Sequence, residues 1–404
     1  MDVIFLSRII PENMPEVAEK RINTMTTSGE SLMWRIIKGL DYHLDKPVKL
    51  LNYLPVQSYP TSYPEPYITR SYFSHVDGSN DINLPFCNIK YIKRLFMGIS
   101  LNKEIKKWAG INRTEKKVII SYSLSPESTE AMKIAKSINP NIITCAIVAD
   151  LPEYTILTNT MNLPTKVYLN WMKSQTNKRL EFIDKFVLLT EAMAEKLVTN
   201  QDYIIMEGIS TKKQINQLES NSTINIIYAG TLNERFGIIH LLNAFMKTKN
   251  PQYRLEVCGI GDSEKKILDA KEKDNRIVFY GQLPQELVLD KLSNASVIVN
   301  PRRGLEEFTK YSFPSKNLEA LSMGIPLVAY KLPGIPDEYD TFINYPDNES
   351  EEALATIIDK IIDDKHEEFS KKAVKAKQWV ENEKNNITQS KRILELIDND
   401  FFKK

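Results

Sequence analysis

Three cysteines, Cys87, Cys145 and Cys258, serve 404 residues. They are widely spaced and odd in number. That pattern gives no metal-site spacing and fits a reducing compartment, with the cytoplasm as the default. Histidine is almost as scarce. His43, His75, His240 and His366 are scattered, none at a ligand spacing and none in a Ser/His/Asp arrangement. No apolar run approaches the roughly 18 residues that span a bilayer. The opening MDVIFLSRII carries an acid at Asp2 and a short apolar run, so it reads as a first strand rather than a signal peptide. Neither sign of charge is in excess. A net charge of +1 supplies no global field for nucleic acid. Repeats and low-complexity tracts are missing too. The acidic pair Asp398-x-Asp400 stands at the chain end, where it marks a solvated helix terminus, and no metal dependence is expected.

The chain is too long for one ordinary core, so two domains are expected. Apolar residues at 42% and charged residues at 26% are the proportions of a soluble globular protein. Strand and helix patterns alternate, which predicts an α/β chain built on doubly wound parallel sheets. Residues 3–6 read as a strand and 16–39 as helical. The polar EKRINTMTTSG within that segment is either a ligand-facing loop or a solvated turn. A strand at 48–54 leads into NYLPVQSYPTSYPEPY, an extended, irregular run whose tyrosines serve either function or packing. Residues 85–108 alternate Lys90, Lys93, Arg94, Lys103, Lys106 and Lys107 with apolar residues. Such a basic amphipathic helix suits an anionic membrane surface or, with its lysines solvated, a core. Strands at 118–122 and 142–148 flank a helix at 128–137. Asp150 stands just past the second of these strands, where parallel sheets take ligands, or is only a turn residue. Residues 166–184 are helical, 186–190 form a strand, and Thr190 caps the helix EAMAEKL.

Polar residues 211–223 lack periodicity and read as a linker. The pattern then restarts, with strands at 224–228, 253–258, 277–280 and 297–300, and closes on a helical tail from 351 with a break after Trp379. The organising stretch is 309–338, TKYSFPSKNLEALSMGIPLVAYKLPGIPDE. Pro314 suits a helix start, Gly324 a C-cap, and LVAY a buried strand. The open helix N-terminus is a seat for phosphate, Lys316 adds a cation, and Glu319 lies one turn on, placed to take two ribose hydroxyls. Between Gly230 and Gly237 a second loop opens a helix, and Arg235 there can fork onto phosphate oxygens or pair with Glu234 or Glu307. Gly259-x-Gly261 is half a dinucleotide fingerprint. Its third position is Glu264, which argues against NAD and for a tight strand-to-helix turn.

The order YAGTLNERFGIIHLLNAF, LEVCGIGD, IVFYGQLP, ASVIVNP, YSFPSKNLEALSMGIPLVA and GIPDEY resembles the glycosyltransferases of family 4. More narrowly it resembles bacterial enzymes that build capsular, exopolysaccharide or O-antigen repeat units. IIKGL, VADLPEY, FVLLTEAMAEKL and YIIMEGI extend the likeness more loosely into the first half. The resemblance implies the GT-B fold, two Rossmann-like domains facing across a cleft. Residues 1–210 would take the acceptor, 211–383 the nucleotide sugar, and 384–404 would return as a helix to the first domain. Implied donor contacts are Gly230, Thr231 and Arg235 in the first loop, then Gly261 and Leu283 after later strands. Tyr311, Phe313, Pro314, Ser315, Lys316 and Glu319 complete them. Glu319 matches the second Glu of the family's Glu-x7-Glu motif, and Tyr311 replaces the first. Phe313 and Pro314 fall where backbone amides approach the donor sugar. Phe236 replaces the usual Lys of the phosphate loop, and Ala149, beside Asp150, replaces the usual His. Arg235, Lys316 and Asp150 are the implied catalytic set. The implied reaction is a retaining hexosyl transfer from a nucleotide diphosphate sugar to a hydroxyl of a polyprenyl-diphosphate-linked saccharide, without metal or other cofactor and without nucleic acid. It would take place in the cytoplasm, at the inner face of the membrane, with 85–108 as the peripheral contact. Two alternatives stay open: a nucleotide-sugar epimerase of the same build, and a non-catalytic subunit that binds a nucleotide sugar or a partner enzyme.

Overall fold

In the computed structural model, which describes residues 1–20, 28–151, 163–210, 224–364 and 366–402, the apolar runs become parallel strands and the segments between them helices. Two compact units result: Met1–Ile209 with Asn386–Lys404, and Ser210–Asn385.

The first unit begins with β1 (Asp2–Ser7), α1 (Pro15–Glu19), α2 (Ser28–His43) and β2 (Lys49–Asn52). Four short strands follow: β3 (Tyr67–Ile68), β4 (Ser71–Phe73), β5 (Asp81–Asn83) and β6 (Phe86–Cys87). Then come α3 (Lys93–Gly110), β7 (Lys117–Tyr122), α4 (Pro126–Ile138), β8 (Ile143–Val148), α5 (Leu163–Asn177), β9 (Lys185–Leu188), α6 (Glu191–Leu197) and β10 (Asp202–Ile205). Eight strands form one sheet in the order β10-β9-β8-β7-β1-β2-β5-β4. Every pair is parallel except β4 with β5. Helices cover both faces, so the central strands are apolar on both sides. Residues 118–120 and 145–148 are fully buried runs, as a covered parallel sheet requires.

The second unit runs β11 (Ile224–Ala229), α7 (Ile238–Lys247), β12 (Tyr253–Cys258), α8 (Glu264–Lys273), β13 (Ile277–Gly281), α9 (Gln285–Ser293), β14 (Val297–Asn300), α10 (Ser315–Met323) and β15 (Leu327–Ala329). Its all-parallel sheet has the order β13-β12-β11-β14-β15. Two helices, α11 (Glu351–Asp359) and α12 (His366–Glu383), close it, and α13 (Asn386–Ile397) belongs to the first unit. Ile393, Leu394 and Ile397 of α13 join the first unit's core.

Several elements depart from the sequence pattern. The helix expected to end near Gly39 runs on to His43. Gly39 is a contact point, not a stop: a Cβ there would fall 2.3 Å from the Asn386 carbonyl oxygen and from Ser390 Oγ, so its bare backbone lets α13 lie on α2. The basic segment 85–108 is helical only from Lys93, because Phe86 and Cys87 pair as a strand with β3. Met97, Leu101, Ile105 and Ala109 pack inward, whereas Leu95, Phe96 and Ile99 stay exposed. Strands β3 to β6 carry two or three residues each, too few for an alternation to show. Thr190 stands at the N-cap of α6, but its hydroxyl makes no capping bond. His75 is clasped by Asp81 at 2.7 Å and Asp41 at 2.9 Å. Burial pulls its pKa down, and the two carboxylates reverse that and raise it to about 9, so it is a structural cross-link. The linker reading of 211–223, most of EKRINTMTTSG (21–27) and the end of VADLPEY (152–154) lie outside the described residues. Among the described residues no helix is long and apolar enough to cross a membrane.

Candidate active site

In the second unit the strand order reverses between β11 and β14. At such a point the two flanking loops part in opposite directions and leave a crevice at the carboxyl ends of the strands. A pocket of about 170 Å³ occupies that place. Tyr228 reaches it from β11 and Thr231 and Phe236 from the loop that follows. Asn300 and Arg302 come from the end of β14, and residues 313–316 from the entry to α10.

The entry is set locally. Pro314, at φ −75° and ψ 92°, stands immediately before the first helical residue rather than inside the first turn, and Gly324 ends the helix at φ 72°. Phe313 is anchored against Tyr339, with ring centres 5.1 Å apart. Asn300 Nδ2 donates to Asn317 Oδ1 at 2.6 Å, which ties the end of β14 to the first turn of α10. First-turn N–H groups have no acceptor within a helix, and here Ser315 and Lys316 carry them to the pocket wall.

Lys316 supplies the charge. More than a third of its surface is accessible, yet its ammonium is pressed between protein groups, 5.5 Å from the centre of the Tyr228 ring and directly over Gly230. A Cβ on residue 230 would lie 1.6 Å from Lys316 Nζ, so the glycine makes the room. Desolvation of the ammonium lowers its pKa to about 8; Glu319 opposes the shift and Arg302 adds to it.

Arg302 is the second cation on this wall. Its Nη2 donates to Ser312 Oγ at 3.0 Å, and its buried Nε has no hydrogen-bond partner among the described residues. Desolvation, with repulsion from Arg235, lowers its pKa to about 10 against the pull of Glu306. The sequence pattern named Arg235 for phosphate and did not single out Arg302. The structure ion-pairs Arg235 with Glu306, rather than with Glu234 or Glu307, and places it in a neighbouring recess with Phe308 and Thr309. Both guanidinium groups lie over the Phe308 ring, Arg302 at 4.6 Å and Arg235 at 4.8 Å. Gly237 holds this loop close: at φ 85°, a Cβ would fall 2.1 Å from the Pro301 carbonyl oxygen.

The remaining candidates separate. Thr231, Phe313, Pro314, Ser315 and Lys316 line the pocket, and Gly230 backs it. Glu319 sits one turn along α10, close enough to act on Lys316. Tyr311 ends a 3-10 turn over Glu307–Tyr311, and neither it nor Leu283, past β13, lines this pocket. Gly261 directs its N–H to Glu264 at 3.1 Å, while Gly259 N–H donates to the Gly281 carbonyl oxygen and the Ile260 carbonyl oxygen accepts from Leu232 N–H, so the Gly259-x-Gly261 segment is a turn bonded to its neighbours. Asp150 is exposed past β8 in the first unit; partial desolvation raises its carboxyl pKa, and its charge helps raise that of Tyr122. Arg302 was legible in principle, because the rule that flagged Asp150 past a strand end applies equally to the residues past β14, whereas Asn300 and Tyr228 lie within β14 and β11 and carry no such signal. A larger cavity, about 360 Å³, lies in the first unit by Lys49 and Ile82, toward the starts of β2 and β5, away from the carboxyl ends.

The fold and the pocket together define a two-unit α/β protein whose second unit carries a crevice lined by two cations. Residues 210–385 match the family described as glycosyl transferases group 1. Similar solved structures include a sucrose-phosphate synthase from Thermosynechococcus elongatus, 16% identical, with a TM-score of 0.63 over 98% of each chain. Another is the lipopolysaccharide outer core galactosyltransferase WaaB in its apo form, 12% identical, TM-score 0.64, over 99% of each chain. A third is Anabaena HepE in complex with UDP, 14% identical, TM-score 0.61, covering 99% of this chain and 100% of that one. At these identities the likeness shows the fold. No curated protein sequence matches the chain. The fold shared with them is GT-B, two Rossmann-like units.

Proposed function

We propose that the chain is a retaining glycosyltransferase. It moves a hexose from a nucleotide diphosphate sugar to a hydroxyl of a polyprenyl-diphosphate-linked saccharide during cell-surface polysaccharide synthesis. The observation that carries the donor half is the convergence of Lys316, Arg302 and the α10 N-terminus on one pocket at the point of strand reversal. Two cations and a helix end suit two phosphates. The group 1 match over 210–385 supports nucleotide-sugar chemistry in this unit. HepE has been seen with UDP and with UDP-glucose. The motif order of family 4 supports the narrower reading.

In this reading the acceptor oxygen attacks the anomeric carbon from the face the diphosphate leaves. The new C–O bond forms as the old one breaks. The acceptor's proton passes to the departing diphosphate, so no side-chain base is needed. Lys316, Arg302 and the first-turn N–H groups stabilise the charge that grows on the leaving oxygen, the kind of fixed electrostatics that lowers a barrier most. Glu319 takes the ribose, and Asp150 is the acceptor-side candidate. No metal enters the scheme. The exposed apolar stripe of Ile92, Leu95, Phe96 and Ile99 supports a peripheral contact with the cytoplasmic face of the membrane.

The test is a panel of UDP-, GDP- and dTDP-sugars with EDTA present, read by thermal stabilisation and nucleotide release. A ligand that binds the native state raises the melting temperature by mass action. Stabilisation with slow hydrolysis is expected for one nucleotide class and names the donor. Stabilisation without release, persisting when lipid-linked acceptors are added, would favour a binding subunit. No shift with any nucleotide would overturn the donor site.

A further inference from the structure

The first unit gathers three cations around one buried carboxylate. Its strand order reverses between β1 and β7, so it too has a crevice where parallel sheets take ligands. Arg8 is the first residue past β1, and Glu127 sits in the first turn of α4, just past β7. Lys93 and Arg94 begin α3. Arg8 Nη2 and Arg94 Nη1 both donate to Glu127 Oε1, Arg94 at 2.6 Å. The Glu127 side chain is 2% exposed, against 33% for Arg8 and 27% for Arg94. An anion arriving from solvent therefore meets guanidinium N–H groups and not the carboxylate. Lys93 Nζ donates to the Val56 carbonyl oxygen.

A purely structural ion cluster gains by balancing its charge, because a buried surplus of one sign costs several kcal/mol. Here three cations face Glu127, the one acid in the cluster among the described residues. The surplus is felt. Burial lowers the Lys93 pKa to about 7, and Arg8 and Arg94 lower it further than Glu127 can restore. A phosphate would relieve that repulsion with charge-assisted bonds to all three. Beside the cluster lies an aromatic and apolar border. Tyr91 and Tyr168 have ring centres 5.4 Å apart, Trp171 stacks on Tyr168 at 6.1 Å, and Ile92 and Leu95 are exposed.

We propose that Arg8, Lys93 and Arg94 form a second anion site that binds a phosphate or diphosphate ester carried on an apolar or saccharide body. The site stands on the first unit's geometry alone. Only its use for an acceptor's diphosphate rests on the function proposed above.

The experiment is calorimetric titration of the full chain with inorganic pyrophosphate, in a Lys316→Met, Arg302→Met background that removes both cations from the second unit's pocket. One binding event is expected to remain. Lys93→Met keeps both arginine bonds to Glu127 and is expected to weaken that event about tenfold, the worth of one charged hydrogen bond. Glu127→Gln removes the negative charge that offsets both arginines and is expected to tighten it, a direction that a structural role does not produce. Where Glu127→Gln fails to fold, Lys93→Met decides, with an unchanged melting temperature as its control. Flotation with phosphatidylglycerol–phosphatidylcholine vesicles separates the sources. Lys93-dependent flotation that pyrophosphate competes away assigns the site to a lipid headgroup. Flotation indifferent to Lys93→Met, with pyrophosphate binding lost, assigns it to a phosphorylated acceptor. Pyrophosphate affinity and flotation both unmoved by Lys93→Met would overturn the proposal. Because pyrophosphate needs no nucleotide, the result stands whether or not the nucleotide-sugar panel succeeds.

Discussion

Lys316 and Gly230 form a single device, an ammonium and the gap it fits. Gly230→Ala puts a methyl 1.6 Å from Lys316 Nζ. The obstacle is the tip of a flexible side chain, so the lysine swings aside and the fold survives. Nucleotide affinity should fall about tenfold, the cost of losing one charged hydrogen bond, with the melting temperature of the unliganded protein nearly unchanged. The depressed pKa adds a pH signature. The protonated form binds phosphate, and in the unliganded protein that form prevails below about 8 and is lost above it. Affinity for the nucleoside diphosphate that the panel selects should therefore hold to about pH 7 and decline about tenfold by about pH 9. Lys316→Met should bind weakly with a flat profile. A wild-type affinity that does not change across that window would mean Lys316 does not touch the diphosphate. At this scale the sequence was legible for Lys316, because a lysine behind a proline at a helix start is a local pattern. The division between Arg302 and Arg235 was not. It is decided by Glu306 and by the Phe308 ring, which the chain brings to both only on folding.

Among elements, the packing of α13 on α2 has the sharpest single-residue dependence. Gly39→Ala drives a Cβ to 2.3 Å from the Asn386 backbone carbonyl, and backbone does not yield as a lysine tip does. Overpacking of this kind costs on the order of 2 kcal/mol. Gly110, at the end of α3, has nothing within 4 Å of such a Cβ, so Gly110→Ala is the control. Urea denaturation should show a lower midpoint for Gly39→Ala and little change for Gly110→Ala. Equal midpoints for the two variants would mean α13 is not seated as described. Gly39 also shows why the sequence misplaced the end of its helix. A glycine after an apolar stripe has the same local signature whether it stops a helix or admits a neighbour, and the neighbour is more than three hundred residues away. Long buried strands such as β7 and β8 were legible from their continuous apolar runs. The two- and three-residue strands β3 to β6 exist only because partner strands supply their hydrogen bonds, so no local pattern announces them.

For the whole molecule, the path of the chain matters more than any one contact. The second unit is inserted between residue 209 and residue 386 of the first. Its entry and exit lie side by side: Ser210 N–H donates to the Lys384 carbonyl oxygen at 2.7 Å, and Ser210 pairs with Asn385. A unit whose ends meet can be excised. Residues 210–385 expressed alone should melt cooperatively and keep nucleotide stabilisation, because every residue lining the pocket at the α10 entry lies within them. Residues 1–209 alone should not behave so. They lack Ile393, Leu394 and Ile397, whose burial is worth about 1.5–3 kcal/mol each against a total stability of about 5–15. Joining 1–209 to 386–404 through a short glycine-serine linker should restore a cooperative melt and a near-UV circular dichroism signal. If 1–209 alone already gives both, at the temperature of the joined form, α13 is peripheral to the core. If 210–385 melts cooperatively but gains nothing from any nucleotide that stabilises the full chain, the pocket is only part of a donor site that needs the rest of the protein.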